Sequence, residues 1–277
     1  MYMVPPFLAY YAADNEDEDL LKDTVTQCRL YRDVLQPKNN QTKGLWQHII
    51  GPESRDTGLW STGNGWAAAG MTRVLATVTK ATFISNLTWR QQAIDELTRY
   101  IKEILDGAMA SPMDRGLLRN YLDDTNSGHG FGEISGSSVL AATVYRMAVL
   151  QPAIFGARYI KWADGIRTKL SGKDASGKPH ITTAGIATPA VNPLAWMDTK
   201  PFTSGSPEGN AMVVLMYAGW RDCVKSGRCT NSPGGSAESL SISNDVAAIK
   251  VEGRSPKPVH THSKRHFSHL FHGSGHR

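Results

Sequence analysis

Apolar residues recur at three- and four-residue spacing along most of the chain, the signature of helices that bury one face. Leu20, Leu21, Val25, Cys28, Tyr31 and Leu35 form one such stripe over residues 17–36. Ile94, Leu97, Ile101, Ile104 and Leu105 form another. The same spacing predicts helices over about 3–13, 64–80, 137–150, 153–171 and 208–225, which makes seven in all. Asp14 and Asn15 can cap the second helix, Asn64 the third and the serines from Ser135 to Ser138 the fifth, while Pro152 separates the fifth from the sixth. Strand-like alternation is sparse, and His180–Ala187 is the best candidate for a short β-segment.

An all-α fold follows, and its connections alternate in length. Residues 81–88 and 151–153 are short links, whereas 37–63, 109–136 and 172–207 are long and rich in Gly, Trp, His and carboxylates. Such alternation predicts helical hairpins whose long connections gather at one end, where function concentrates. With no fixed-period self-similarity, the hairpins predict a toroid rather than a solenoid.

Composition changes this picture in three places. From about Thr230 onward the chain turns to Ser, Gly, Pro, Lys and His with little periodicity, so a helical domain over 1–229 is expected to give way to a disordered tail over 230–277. The tail carries six basic residues against three acidic ones, more than half of the formal net charge of +5, so the basicity does not point to nucleic acid. It also carries six of the nine histidines, at irregular spacings that define no metal site. No stretch approaches the roughly 20 apolar residues that span a bilayer, so no membrane segment is expected. The N-terminal run Met1–Ala13 has no basic region and is interrupted by Pro5 and Pro6, so it reads as a helix rather than a signal peptide.

Three cysteines cannot build a disulfide framework. Cys28 falls on the apolar stripe of the second helix and is expected as a buried thiol. Cys223 and Cys229 flank a loop containing Lys225-Ser226-Gly227 that can close into one bridge, and both the bridge and the free thiols stay open. Asn40-Gln41-Thr42 and Asn86-Leu87-Thr88 are N-glycosylation acceptor triplets.

Candidate chemistry lies in the long loops. Gly44-Leu45-Trp46-Gln47-His48 is followed by Asp56-Thr57-Gly58-Leu59-Trp60-Ser61-Thr62-Gly63-Asn64-Gly65-Trp66, where two glycines bracket Asn64 at an expected sharp turn and three tryptophans accompany a histidine. Aromatic faces beside polar side chains hold sugars, because pyranose C–H faces pack on rings while hydroxyls take directed hydrogen bonds. The second loop, Asp123-Asp124-Thr125-Asn126-Ser127-Gly128-His129-Gly130-Phe131-Gly132-Glu133-Ile134-Ser135-Gly136-Ser137, places three carboxylates and a histidine before a helix start. Acidic residues there suit the helix dipole, so Glu133, and Glu208 in the like segment Ser204–Asn210, read first as caps or supports and second as catalytic groups.

The segments Met3–Tyr11, Gly44–His48, Trp60–Met71, Glu133–Ser137 and Pro207–Asn210 occur in the order and approximate spacing of glycoside hydrolase family 105, which the chain resembles over residues 1–229. That family is related to family 88. The resemblance implies an (α/α) six-hairpin toroid, here incomplete, with seven of twelve helices. It also implies hydration of the C4=C5 double bond of a terminal unsaturated uronic acid, with no cofactor and no metal. An oligosaccharide is then the partner, and an extracellular place of action is implied. By motif, His48 corresponds to the family's pocket histidine and Trp60 and Trp66 to the tryptophans lining the sugar subsite, with Asn64 shaping the turn between them. Thr62, Glu133 and Ser135 complete the expected substrate-binding set.

Two departures qualify the resemblance. Thr62 stands where the family usually has an arginine, and a hydroxyl cannot replace a bidentate cation, a loss of about 1.5–3 kcal/mol of charged hydrogen bonding. The family's catalytic aspartate lies a few residues ahead of the segment matching Met3–Leu8, which places it before Met1. A saccharide-binding remnant without turnover is therefore the competing reading. An all-α scaffold recruiting proteins through the basic tail is a third, and it accounts for none of the loop motifs.

Overall fold

The computed structural model describes residues 1–38, 42–192, 194–195 and 197–231. The expected tail beyond 231, its histidines and the Asn40 glycosylation acceptor lie outside the described residues.

Seven α-helices are present among them: α1 (Val4–Asp14), α2 (Glu18–Leu35), α3 (Ser61–Lys80), α4 (Thr88–Met109), α5 (Ile134–Leu150), α6 (Ala157–Ser171) and α7 (Pro207–Lys225). α1 packs on α2, α3 on α4 and α5 on α6 as hairpins, while α1, α3, α5 and α7 also pack on one another in that order. The four therefore form an inner row, and α2, α4 and α6 lie outside it.

Burial follows this division. Outer α4 buries one stripe, including Ile94, Leu97, Ile101, Ile104, Leu105 and Ala108, as its 3.6-residue period requires. Inner α5 is buried at nearly every position from Ile134 to Ala148, which explains why its sequence is small and apolar all round. Where inner helices meet, glycine sets the distance. A Cβ on Gly65 of α3 would stand 2.1 Å from Val139 Cγ1 of α5.

Each long connection (36–60, 110–133 and 172–206) leads from the C-terminal end of an outer helix to the N-terminal end of an inner one. The three therefore lie together at one end of the row, as expected, and the short links lie at the other. The first two are tied to each other. Ser61 N donates to Asn120 O at 2.8 Å, and Leu122 N donates to Leu59 O at 2.9 Å.

Several local expectations are corrected. α2 is capped by Asp17, whose carboxylate accepts from Leu20 N at 2.9 Å, not by Asp14 or Asn15. α3 begins at Ser61, so Asn64 lies inside its first turn and caps nothing. α5 is capped by Glu133 and not by the serines after it. The segment 180–187 makes a single bridge, Ile181 to Ala187, whereas the two-stranded ribbon of β1 (Met113–Asp114) and β2 (Leu117–Leu118) was not foreseen. Its turn residues Arg115 and Gly116 both have positive φ, the conformation that a two-residue hairpin of right-handed twist demands.

Cys223 and Cys229 are bridged, with Cα atoms 5.2 Å apart, and Cys28 is a buried free thiol, as its place on the α2 stripe predicts. Burial pushes the Cys28 thiol up to about 12, so it stays protonated and unreactive.

Candidate functional site

The loop before α3 folds back on itself. Ile49 N donates to Asp56 O at 2.6 Å, Asp56 N to Ile49 O at 2.9 Å and His48 N to Gly58 O at 3.0 Å, so a short antiparallel ribbon carries His48 and Asp56 side by side. His48 Nδ1 lies 2.8 Å from Asp56 Oδ2, the same oxygen that accepts from Tyr121 Oη at 2.5 Å. Gly58 N donates to the other oxygen, Oδ1, at 2.9 Å. Burial alone would raise the Asp56 carboxyl, but the donors Tyr121, His48 and Gly58 outweigh it and hold the group below its usual range. Burial and the adjacent Asp56 charge push the Tyr121 hydroxyl up, so it remains a donor. Glycine is required at 58 because a Cβ there would sit 2.4 Å from the Tyr121 ring.

Beside this cluster stands an aromatic row. The His48 and Trp60 ring centroids are 4.6 Å apart, Trp60 meets Trp66 edge-on at 5.3 Å, and Trp66 stacks on Tyr2 at 6.3 Å. Trp60 Nε1 donates to Asn120 Oδ1 at 2.9 Å, which fixes the plane of its ring. On the far side of Tyr121 its ring meets His129 edge-on at 5.7 Å. A cavity of about 480 Å³ opens there, lined by Arg55, Asp56, Tyr121, Asp123 and His129 among others.

His48, Trp60 and Trp66 are thus brought together and remain partly exposed. The other four expected contacts are not at the surface. Thr62, Asn64, Glu133 and Ser135 are buried. Asn64 Oδ1 accepts from Trp46 N at 2.8 Å, and its Nδ2 donates to Trp46 O and Trp60 O, both at 3.0 Å. Instead of shaping a turn it clamps the loop onto α3. Trp46 is core, which removes one of the three tryptophans from the sugar-binding argument. Glu133 accepts from Ser135 N at 2.6 Å, Gly136 N at 2.5 Å and Ser61 Oγ at 3.0 Å, so its carboxylate joins the starts of α5 and α3. Burial pushes its carboxyl above the usual range against the pull of those donors.

Asp56, Tyr121 and Asn120 are the members that sequence reasoning did not single out. Their only signal is the pairing of two loops some sixty residues apart, which has no periodic trace. Glu208 lies in the first turn of α7, the place its sequence suggests, and burial raises its carboxyl. Among the described residues no cluster of three or more His, Cys, Asp or Glu is arranged to hold a metal ion, and no helix is long and apolar enough to cross a membrane.

An inner row of helices in which α1, α3 and α5 are each followed by an outer one, with long loops gathered at one end, is the architecture of the (α/α) six-hairpin glycosidases. The chain belongs to glycosyl hydrolase family 88, whose model matches residues 1–220. Solved structures of similar fold include a possible family 105 member from Salmonella enterica serovar Paratyphi A, at 19% identity and a TM-score of 0.60, covering 79% of this chain and 55% of that one. A family 105 glycoside hydrolase from C. acetobutylicum is 16% identical with a TM-score of 0.57, covering 80% of this chain and 63% of that one. The polysaccharide lyase BACCELL_00875 is likewise 16% identical with a TM-score of 0.58, covering 83% and 62%. The chain thus spans less than two thirds of the length of these structures. A search of the curated proteins finds no match.

Proposed function

We propose that this chain carries the saccharide-holding part of a glycoside hydrolase that acts on the unsaturated uronic acid terminating oligosaccharides left by a polysaccharide lyase. The observation that carries this reading is the row of His48, Trp60 and Trp66, two indole faces and an imidazole held in fixed relation at the loop-bearing end. In the proposed reaction a proton adds to C4 and water oxygen to C5, and the hemiketal so formed opens to release the next sugar. Trp60 and Trp66 pack against the ring, and His48 hydrogen-bonds the uronate or the glycosidic oxygen. We place the enzyme outside the cell. The Cys223–Cys229 disulfide and the exposed Asn86 of the second acceptor triplet support that placement.

Incubation of the chain with an unsaturated uronyl disaccharide should remove the ultraviolet absorbance of the conjugated double bond, and His48→Ala should abolish that loss. Titration of tryptophan fluorescence with the same disaccharide reports binding separately. A chain that neither turns over nor binds the disaccharide would refute the proposal.

One observation favours binding without turnover. The carboxylate beside the aromatic row, Asp56, is held below its usual range and is a weak proton donor at neutral pH, while Glu133 is committed to two helix starts. Saccharide binding with no loss of absorbance would select that second reading.

A further inference from the structure

We infer that Asp56 is a positioning residue that fixes which nitrogen of His48 carries the proton, with Tyr121 as the brace that holds the carboxylate in place. The inference rests on the saccharide-binding reading above, in which His48 meets the sugar. It follows from counting donors and acceptors. Tyr121 Oη and His48 Nδ1 both reach Asp56 Oδ2, at 2.5 and 2.8 Å, and Gly58 N reaches Oδ1 at 2.9 Å. An ionised carboxylate only accepts, so each of the three groups facing it must donate. Nδ1 of His48 therefore bears a proton, and in the neutral ring Nε2 is the acceptor. Carboxylate–imidazole pairing of this kind sets both the tautomer and the orientation of the ring.

The surrounding chain is built to keep that arrangement. Asp56 and His48 are held by backbone hydrogen bonds across one ribbon, and Tyr121 is held by the bridge between Trp60 and Tyr121. The Trp60 ring packs on His48 and is pinned by Asn120, the neighbour of Tyr121. Two consecutive residues of the second loop therefore brace the two partners of one histidine. With the neutral ring, Nε2 can accept from a sugar hydroxyl. With the ring protonated, Asp56 is the counter-ion that lets His48 donate to a uronate without leaving an unpaired charge.

The test is the imidazole ¹⁵N–¹H correlation spectrum of the full chain labelled on histidine nitrogens, with the His48 signals identified by their loss in His48→Gln. For the neutral ring, recorded on the alkaline side of its titration, the expected wild-type pattern is a protonated Nδ1 and an unprotonated Nε2, unchanged in Tyr121→Phe and replaced by a tautomer mixture in Asp56→Ala. Affinity for the unsaturated disaccharide should fall about tenfold in Asp56→Ala, the effect of one charged hydrogen bond, and less than about threefold in Tyr121→Phe. A neutral wild-type ring with its proton on Nε2 and none on Nδ1 would overturn the inference. So would an Asp56→Ala variant that loses the tautomer yet binds as well as the wild type. If Asp56→Ala does not fold, the wild-type and Tyr121→Phe spectra still decide the tautomer. Failure of the wild type to bind any saccharide, with the Nδ1 proton observed, would count against the functional reading alone.

Discussion

Asn64 makes three hydrogen bonds from a buried position, one as acceptor and two as donor, and all three end on main-chain atoms of Trp46 and Trp60. Asn64→Asp keeps the shape and the acceptor but loses both donors and buries a charge. It should therefore cost about as much as Asn64→Ala, on the order of 2–3 kcal/mol in urea unfolding, each unsatisfied buried group counting about 1–3 kcal/mol. Asp56 makes a pH-dependent contribution of defined sign. Its folded-state pKa lies below the ordinary value, so its stabilisation is complete above the unfolded pKa of about 3.9 and is lost as pH falls through the folded value. The stability difference between wild type and Asp56→Asn should shrink as pH falls from about 5 through the folded value, measured by urea midpoints across that range. At this scale the proximity of His48, Trp60 and Trp66 was legible because they fall within one short stretch that runs from the first long loop into the first turns of α3. Asp56 and Tyr121 were not, because their partnership depends on how two loops pair. Thr62, Glu133 and Ser135 carried the right motif but sit beneath the surface, a depth that a motif does not encode.

Glycine acts with opposite signs in different helices. Gly65 of α3 faces Val139 Cγ1 so closely that an added Cβ would stand 2.1 Å away, and that carbon belongs to a stiff branched side chain on a helix buried on all sides. Gly165 of α6 has no heavy atom within 4 Å of its added Cβ and is exposed. Gly165→Ala should therefore raise stability by up to about 1 kcal/mol, the helix-propensity difference. Gly65→Ala should lower it by about 1–3 kcal/mol through forced separation of α3 and α5, less that same gain. Thermal unfolding of the two single variants checks the contrast, and equal signs would contradict this account of the inner row. Helix number and the alternation of long and short connections were legible from periodicity, because outer helices such as α2 and α4 bury one stripe. Helix starts were misplaced where the cap is not the usual small polar residue. α3 begins after Trp60, with no side-chain cap, and α5 begins after a glutamate.

For the whole domain, the consequence of an inner row packed in the order α1, α3, α5, α7 is that α1 has a packed neighbour on its α3 side and on its α2 side. Its remaining surface carries Met3, Val4, Phe7, Tyr10 and Tyr11, at three- and four-residue spacing, with Met3 74% and Phe7 63% exposed. Pro5, Pro6, Ala9 and Ala12 fill the packed side instead. Large apolar side chains on the outer surface and small ones within reverse the usual order, and a contiguous apolar stripe of this kind drives association. The chain should therefore self-associate in a concentration-dependent way in sedimentation velocity. Phe7→Glu combined with Tyr11→Glu should shift it toward the monomer without lowering the thermal midpoint by more than a few degrees, because neither side chain is buried in the core. A wild-type chain that stays monomeric up to high concentration would contradict this reading of the α1 surface. The aromatic row offers an independent readout, since His48, Trp60 and Trp66 lie on the first long loop and the start of α3 and should keep their saccharide affinity when the α1 surface is made polar.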